Sequence, residues 1–315
     1  MPSIITITFS PCIDKSTSVL SLLPEKKLKC TAPKLEPGGG GINVARAIKK
    51  LGGEAVAIFP SGGYTGHYFN HLLEKENIPA VIIKTANETR ENIIVFDEST
   101  GNQYRFGMPG TELQENEWKQ CLKAVAESTG VEFIVASGSL PPGVPLNIYA
   151  QIARIAKSKN AKFIVDTSGE ALKHAADEGV YLLKPNLAEL CTLTGIKDIS
   201  IHNVESVARK FLLTKNCHII VVSLGEMGAL LVTKDEVHKV LPPVVARKST
   251  VGAGDSMVAG IVFGLSAGMS LKEALQFSVA CGTAATMNSG TELCRRNDVE
   301  ELFKKIKNNI AEHTV

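Results

Sequence analysis

The sequence predicts an α/β fold in which a mostly parallel central sheet lies between helices and carries a small β-sheet lid. Two observations lead there. Short β-branched runs, too apolar to keep one face in water, alternate along the chain with helical patterns, as buried parallel strands do. Two longer extended stretches, residues 16–37 and 92–108, break the alternation. They are expected to pair as a small sheet over the carboxyl ends of the strands, where open α/β sheets bind ligands.

Each element has its own signal. SIITITF (3–9) is the first strand. Ile42, Ala45, Ile48 and Leu51 recur at helical spacing and Gly52 and Gly53 follow, which marks a helix with a glycine stop. EAVAIFP (54–60) is a strand, 66–76 a helix and AVIIK (80–84) a strand. FIVAS (133–137), KFIVD (162–166), YLLK (181–184) and HIIVVS (218–223) are further strands with helical patterns between them. VVSLGEMGALLV reads as two strands around Gly225 and Gly228, and helices 256–267, 271–287 and 299–310 close the chain. No repeat or linker divides the 315 residues, so a single domain carrying the lid is expected.

Composition excludes several function classes. Apolar residues make up 44% of the chain, enough for an extensive core. The 34 basic and 32 acidic side chains nearly balance, which leaves no global field to gather nucleic acid or anionic membrane. Seven scattered cysteines without a C-x-x-C pair favour a reducing cytosol over a disulfide framework or a structural zinc site. MPSIITITFSP lacks the basic region and apolar core of a signal peptide. The longest uncharged run, 256–271, is shorter than the roughly 20 residues of a membrane span. A cytoplasmic protein that binds neither nucleic acid nor membrane is expected.

The chemistry concentrates where Asp255 follows Gly252, Ala253 and Gly254 at the start of an apolar helix. The first amides of a helix lack internal partners and small residues admit a ligand to the backbone, so an anion is expected at 252–255. An ordinary first-turn acid would explain Asp255 alone, but capping needs no small residues ahead of it. A carboxylate beside an anion hole suits a general base that takes the proton of a hydroxyl attacking a phosphoryl group.

Other motifs admit two readings. EPGGGGINVARAIKKLG sets four glycines, Gly38 to Gly41, before a helix, as a flexible turn or as a ligand loop. A dinucleotide fingerprint, and with it a nicotinamide-dependent oxidoreductase, is disfavoured. The spacing is not G-x-G-x-x-G, the preceding segment is no clear strand, and EAVAIFPSGG ends without an acid for a ribose. Asn43 can both donate to and accept from a polyol. Asn186 and Glu189 have the spacing of a capping box, repeated at Asn297 and Glu300, although their place after YLLK leaves a role near Mg²⁺ open. Gly225 and Gly228 make a hairpin turn or a nucleotide-cradling loop. Lys27 and Lys29 share one face if PEKKLKC is a strand; with Arg90 and Arg105 they either protect a sheet edge or clamp a phosphate. His67 and His71 lack a third ligand nearby and read as a solvated helix face.

Together these stretches resemble the ribokinase/phosphofructokinase-B family of carbohydrate kinases. GGGGINVARAIKKLG is similar to its first signature and KSTVGAGDSMVAGI to its second, more specific one. TAPKLEPGGGGINVARAI, QYRFGMPG, SGSLPPGV, SLGEMGAL and STVGAGDSM extend the likeness over essentially the whole chain. The resemblance implies a ribokinase-like three-layer α/β/α fold. It also implies MgATP-dependent phosphorylation of fructose 6-phosphate at the 1-hydroxyl, with tagatose 6-phosphate or fructose 1-phosphate as alternative acceptors. A sugar-phosphate sensor would keep such a pocket without needing the base.

By that resemblance Asp255 is the catalytic base and the amides of Gly252, Ala253 and Gly254 form the anion hole. Asp14, Gly39, Asn43 and Ser139 hold the sugar hydroxyls, and Lys27, Lys29, Arg90 and Arg105 its phosphate. Lys184, Asn186, Ser223, Gly225 and Gly228 line the ATP phosphates and ribose, with Val279 and Thr283 beside the base. Glu189, with Asn186, organises Mg²⁺ through water. Backbone oxygens at Ser249, Val251, Ala285, Asn288, Gly290 and Glu292 hold K⁺. Family members carry arginine where this chain has Lys29, which cannot make a planar two-point contact. The open edges of a lid sheet imply a homodimer through the lid.

Overall fold

Ile4–Ile7 forms β1, buried along its whole length as its unbroken apolar run requires. The computed structural model describes residues 3–312. From β1 the chain leaves for β2 (Cys12–Val19) and β3 (Lys34–Gly38), then runs into α1 (Gly40–Lys50). It returns as β4 (Val56–Gly62), α2 (Gly63–Lys75) and β5 (Ala80–Thr85), and departs again for β6 (Arg90–Asp97) and β7 (Asn102–Phe106). Regular alternation follows: α3 (Glu115–Glu127), β8 (Phe133–Ser137), α4 (Ile148–Ser158), β9 (Lys162–Asp166) and α5 (Gly169–Glu178). Next come β10 (Leu182–Leu183), α6 (Leu187–Thr194), α7 (Val204–Thr214) and β11 (Ile219–Ser223). β12 (Ala229–Val232) and β13 (Val237–Val240) fold back antiparallel, and α8 (Ala253–Ser266), α9 (Leu271–Thr286) and α10 (Arg296–Glu312) complete the order.

The large sheet runs β13-β12-β11-β10-β9-β8-β1-β4-β5 and is parallel from β11 to β5. Each face buries its own apolar cluster. On one side Ile42, Val262, Leu275 and Leu302 bring α1, α8, α9 and α10 against the sheet. On the other, Cys121, Ile152, Leu172 and Phe211 bring α3, α4, α5 and α7. Three layers result, as expected. Among the described residues no helix is long and apolar enough to cross a membrane.

The second sheet has the order β3-β2-β6-β7, with β2 and β6 parallel and its other pairs antiparallel. Its strands begin earlier than the extended stretches suggest, at Cys12 and Arg90. Between β2 and β3 the chain is loop, so Lys27 and Lys29 do not sit on a strand as supposed. Pro24 and Pro33 bracket that segment and Glu25 takes a positive φ of 56°, neither compatible with a ladder. β3, in turn, is the strand before the glycine run that the sequence does not reveal. Its Pro37 lacks a donor and is tolerated because β3 is an edge. Pairing sets the faces: Asp14 lies opposite Asn92 and Glu36, and Arg105 opposite Ile94, all on one side. Ile93, Tyr104 and Phe106 point to the other side and are exposed.

Candidate active site

The bend before α8 is the centre of the site. Gly252 caps the helix in the left-handed region, with φ 74°. Ser256 N donates to Gly252 O at 2.8 Å, while Gly254 N and Asp255 N have no hydrogen-bond acceptor among the described residues. Ala253 N, expected in the anion hole, is instead turned toward Thr250 O at 3.4 Å. Two adjacent bare amides at a helix N-terminus make an anion seat.

Asp255 stands beside that seat. Its Oδ2 accepts from Asn43 Nδ2 at 2.9 Å and its Oδ1 from Ser137 Oγ at 3.4 Å. Burial, and then the charge of Asp166, push its carboxyl up to about 6, against the opposing pull of Asn43, Lys184 and Ser137. Lys184 is buried and pairs with Asp166 at 3.1 Å. Its burial works to lower its pKa, but Asp166, Glu189 and Asp255 together hold it above the usual lysine value. Lys184 also borders Gly254, where a Cβ would lie 3.8 Å from its Nζ.

The glycine run is packing rather than slack. Gly39 caps α1 at φ 107°. A Cβ on Gly40 would strike Ser137 Oγ and come within 2.6 Å of Gly138 N. One on Gly41 would lie 2.5 Å from Thr8 Oγ1 and 2.7 Å from Ile7 O. The missing side chains let α1 press on the ends of β1 and β8, which carries Asn43 to Asp255. Gly38 similarly makes room for the Asp14 carboxylate.

On the far side of α8 opens a cavity of about 620 Å³, ample for a nucleotide. Asn186, Ser223, Gly225 and Gly228 line it, as do Val279 and Thr283 on α9, and Ala253 and Gly254 form its inner end. Pro242, Val244, Val245 and Met257 supply apolar wall that no motif announces. Asn186 and Glu189 do form a reciprocal capping box on α6, with bonds of 2.9 and 2.8 Å. Glu189 Oε1 stays unengaged among the described residues, and burial, with Asp166, raises the carboxyl. Asn297, the other capping candidate, lies inside α10 and makes no capping hydrogen bond among the described residues; Glu300 accepts from Arg296 Nε at 2.8 Å.

The small sheet faces the bend from the opposite side. Asp14 Oδ1 accepts from Asn92 Nδ2 at 3.0 Å and Cys12 Sγ at 3.3 Å, and burial raises its carboxyl. Arg90 donates to Met108 O at 2.7 Å and Ser10 O at 3.2 Å, leaving its Nε buried without a partner among the described residues. Arg105 Nη2 reaches across to Thr250 Oγ1 at 2.7 Å. Ser139 is exposed in the loop after β8, and Lys27 and Lys29 are exposed and unpaired among the described residues. Lys27 and Lys29 thus make no hydrogen bond or ion pair with the cluster, whereas Ser139 lies two residues beyond Ser137, which bonds Asp255. His67 and His71 are exposed on α2.

Ser249 and Gly290 meet beneath the bend, Ser249 Oγ donating to Gly290 O at 2.9 Å and accepting from Val251 N at 3.1 Å. Asn288 N donates to Ala285 O at 3.2 Å, and Glu292 ties Arg295 to the same loop at 2.7 Å. The carbonyls of Ser249, Val251 and Asn288 have no donor among the described residues. Unpaired carbonyls suit a weakly hydrated cation.

The site residues absent from the sequence reading are Ser137, Asp166, Asn92 and Cys12. The first two share a position, the carboxyl end of a parallel strand, which the alternation of elements locates without marking the side chain.

A model of the pfkB family of carbohydrate kinases matches residues 6–298. The chain is 44% identical over 304 residues to ATP-dependent 6-phosphofructokinase isozyme 2 of Escherichia coli, an alignment covering 96% of this chain and 98% of that protein. It is 41% identical to the enzyme of the same name from Mycobacterium tuberculosis, covering 96% and 89%. The crystal structure of phosphofructokinase-2 from Escherichia coli in complex with potassium superposes with a TM-score of 0.93 at 44% identity, over 98% of this chain and 100% of that one. Ribokinase of Arabidopsis thaliana, complexed with ribose and ATP, has the same fold at a TM-score of 0.74, 19% identity and coverage of 96% and 99%.

Proposed function

The chain belongs to the pfkB family of carbohydrate kinases, and on that footing we propose that it is an ATP-dependent 6-phosphofructokinase acting from a single ribokinase-like domain. ATP occupies the 620 Å³ cavity with its terminal phosphoryl group on the amides of Gly254 and Asp255. Fructose 6-phosphate lies under the small sheet, its hydroxyls on Asp14, Asn43 and the Gly39 backbone, its phosphate on Arg90 and Arg105. Ser139, in the loop after β8, holds the sugar hydroxyls with Asp14 and Asn43, and the 20–33 loop with Lys27 and Lys29 closes on the sugar phosphate as part of the lid. The convergence at residues 252–255 carries this reading: bare amides open on the nucleotide side while the Asp255 carboxylate is held from the sugar side by Asn43 at 2.9 Å.

The chemistry follows from that adjacency. The 1-hydroxyl oxygen bonds to the γ-phosphorus as the bond to the β-phosphate oxygen breaks, and Asp255 takes the hydroxyl proton. Lys184 balances charge beside Gly254, with Asp166 holding its ammonium in place. The free oxygen of Glu189 beside Asn186 fits Mg²⁺ held through water, and bound Mg²⁺ would neutralise phosphate charge. The unpaired carbonyls around Ser249 and Asn288 fit a K⁺ ion below the bend, with the Ala285, Gly290 and Glu292 segment forming its other wall. Closure of the small sheet excludes water as a competing acceptor. The outer face of that sheet, with Ile93, Tyr104 and Phe106 exposed, joins two copies as a dimer.

A coupled ADP-release assay across free and phosphorylated ketoses tests the proposal. Fructose 6-phosphate is the expected best acceptor, and Asp255→Asn is expected to lose at least about a hundredfold in kcat while ATP still binds. Preference for an unphosphorylated sugar would remove Arg90 and Arg105 from their role. Turnover surviving in Asp255→Asn would remove the base.

A further inference from the structure

We infer that Arg46 is a positioning residue for phosphoryl transfer, because its guanidinium fixes which end of the Asn43 amide faces Asp255. Arg46 is only 1% exposed. A guanidinium in such a place is costly unless every donor is met, and for helix packing alone an apolar side chain serves at least as well. Its donors are distributed over several elements. Nε and Nη2 fork onto Glu76, at the end of α2, at 2.8 and 2.6 Å. Nη1 donates to Pro37 O, in β3, at 2.7 Å and to Asn43 Oδ1 at 3.4 Å. Nη2 also reaches Glu36 at 3.5 Å.

An asparagine amide is chemically two-ended. Arg46 has donors only, so it accepts just one orientation of Asn43, with Oδ1 toward the guanidinium and the NH₂ toward Asp255 Oδ2 at 2.9 Å. The flipped amide would set its oxygen against the carboxylate and remove the hydrogen bond that aligns it. The three-residue spacing on α1 makes the arrangement possible, since residues i and i+3 are neighbours on a helix face. Glu36 extends the link. Its Oε2 accepts from Thr291 Oγ1 at 3.0 Å, beside Gly290, and β3 pairs it with Asp14. One guanidinium thus ties the sugar-side strand, the 290 loop and the carboxylate to a common frame.

This inference rests on the reading of Asp255 as the base, and two measurements separate the two. Arg46→Lys keeps the charge and loses the fork. We expect its kcat to fall roughly tenfold to hundredfold with both KM values within about threefold. The ¹³Cγ titration of Asp255 should move up in pH, because a misaligned Asn43 stabilises the carboxylate less. That midpoint reports on Arg46 whether or not Asp255 is the base. In an Asn43→Ala background, Arg46→Lys should change neither kcat nor midpoint further. A wild-type midpoint in folded Arg46→Lys, or losses that add in the double variant, would reduce Arg46 to a structural role. If Arg46→Lys does not fold, Glu76→Gln weakens the same fork from a partly exposed position. It should shift the midpoint in the same direction by less, and an unchanged midpoint there would overturn the inference.

Discussion

At the scale of single residues, the site is a set of charges held against their preferences. Asp255 binds its proton more tightly than an ordinary aspartate, with a pKa near 6 in place of 3.8. The sign has a consequence for stability. A raised pKa favours the folded state at low pH, and that contribution is lost as pH rises through about 6. Asp255→Asn should therefore melt higher than the parent at pH 8, and the gap should close on acidification toward pH 4 in paired thermal scans. Removing the neighbouring charge acts the other way on the titration: Asp166→Asn should bring the Asp255 midpoint down, since Asp166 raises it by repulsion. A midpoint unmoved in that variant would mean that burial alone sets the value. Asp166 also illustrates why part of the site stays hidden in sequence. An aspartate ending KFIVD has no spacing relation to GAGD, and only the adjacency of β9 and β10 in the sheet joins it to Lys184.

Among elements, the decisive contacts are those where backbone meets backbone. α1 enters so close to β1 and β8 that three consecutive glycines, Gly39 to Gly41, are each hemmed in. Gly41→Ala must displace both Thr8 and the Ile7 carbonyl, and should cost about 1–3 kcal/mol in denaturant unfolding. Gly40→Ala meets Ser137 and the Gly138 backbone, so it should lower kcat as well as stability by separating Asn43 from Asp255. This motif is legible in sequence because nothing but glycine satisfies it. The run KKLKC fails for the opposite reason. Its alternation imitates a strand, yet the two prolines around it and the turn at Glu25 leave it in a loop. Lys27→Ala and Lys29→Ala should raise KM for the sugar phosphate, with the effect shrinking as salt is added. An unaltered KM would confine the phosphate clamp to Arg90 and Arg105. β13 escapes for lack of signal, being four residues with a histidine and a lysine among them.

For the whole molecule, the outer face of the small sheet matters because Ile93, Tyr104 and Phe106 are exposed side by side on it. Tyr104 and Phe106 are 39% and 47% exposed and stand opposite Val95 and Ile93 across the ladder. Changing both to aspartate should yield a monomer by light scattering that still binds ATP, because the nucleotide cavity is built from other segments. A parent protein already monomeric would exclude that face as an interface. The broad architecture is readable because a parallel sheet covered on both sides demands unbroken apolar strands. The small sheet is harder, since both of its faces mix polar and apolar side chains, Asp14, Asn92 and Ile94 on one and Lys15, Ile93 and Tyr104 on the other, so neither follows a simple in-and-out pattern.

On the proposed reading, the two halves of the reaction are held by separate stretches of chain. The acceptor side so proposed draws on residues between 12 and 43, between 90 and 108 and on Ser139, the donor side on residues from 184 onward, and they touch at Asp255 and through Arg105 on Thr250. If the two lid segments select the sugar, substitutions confined to them should change which sugar is accepted and leave ATP binding as it is, because the nucleotide cavity is lined by other segments.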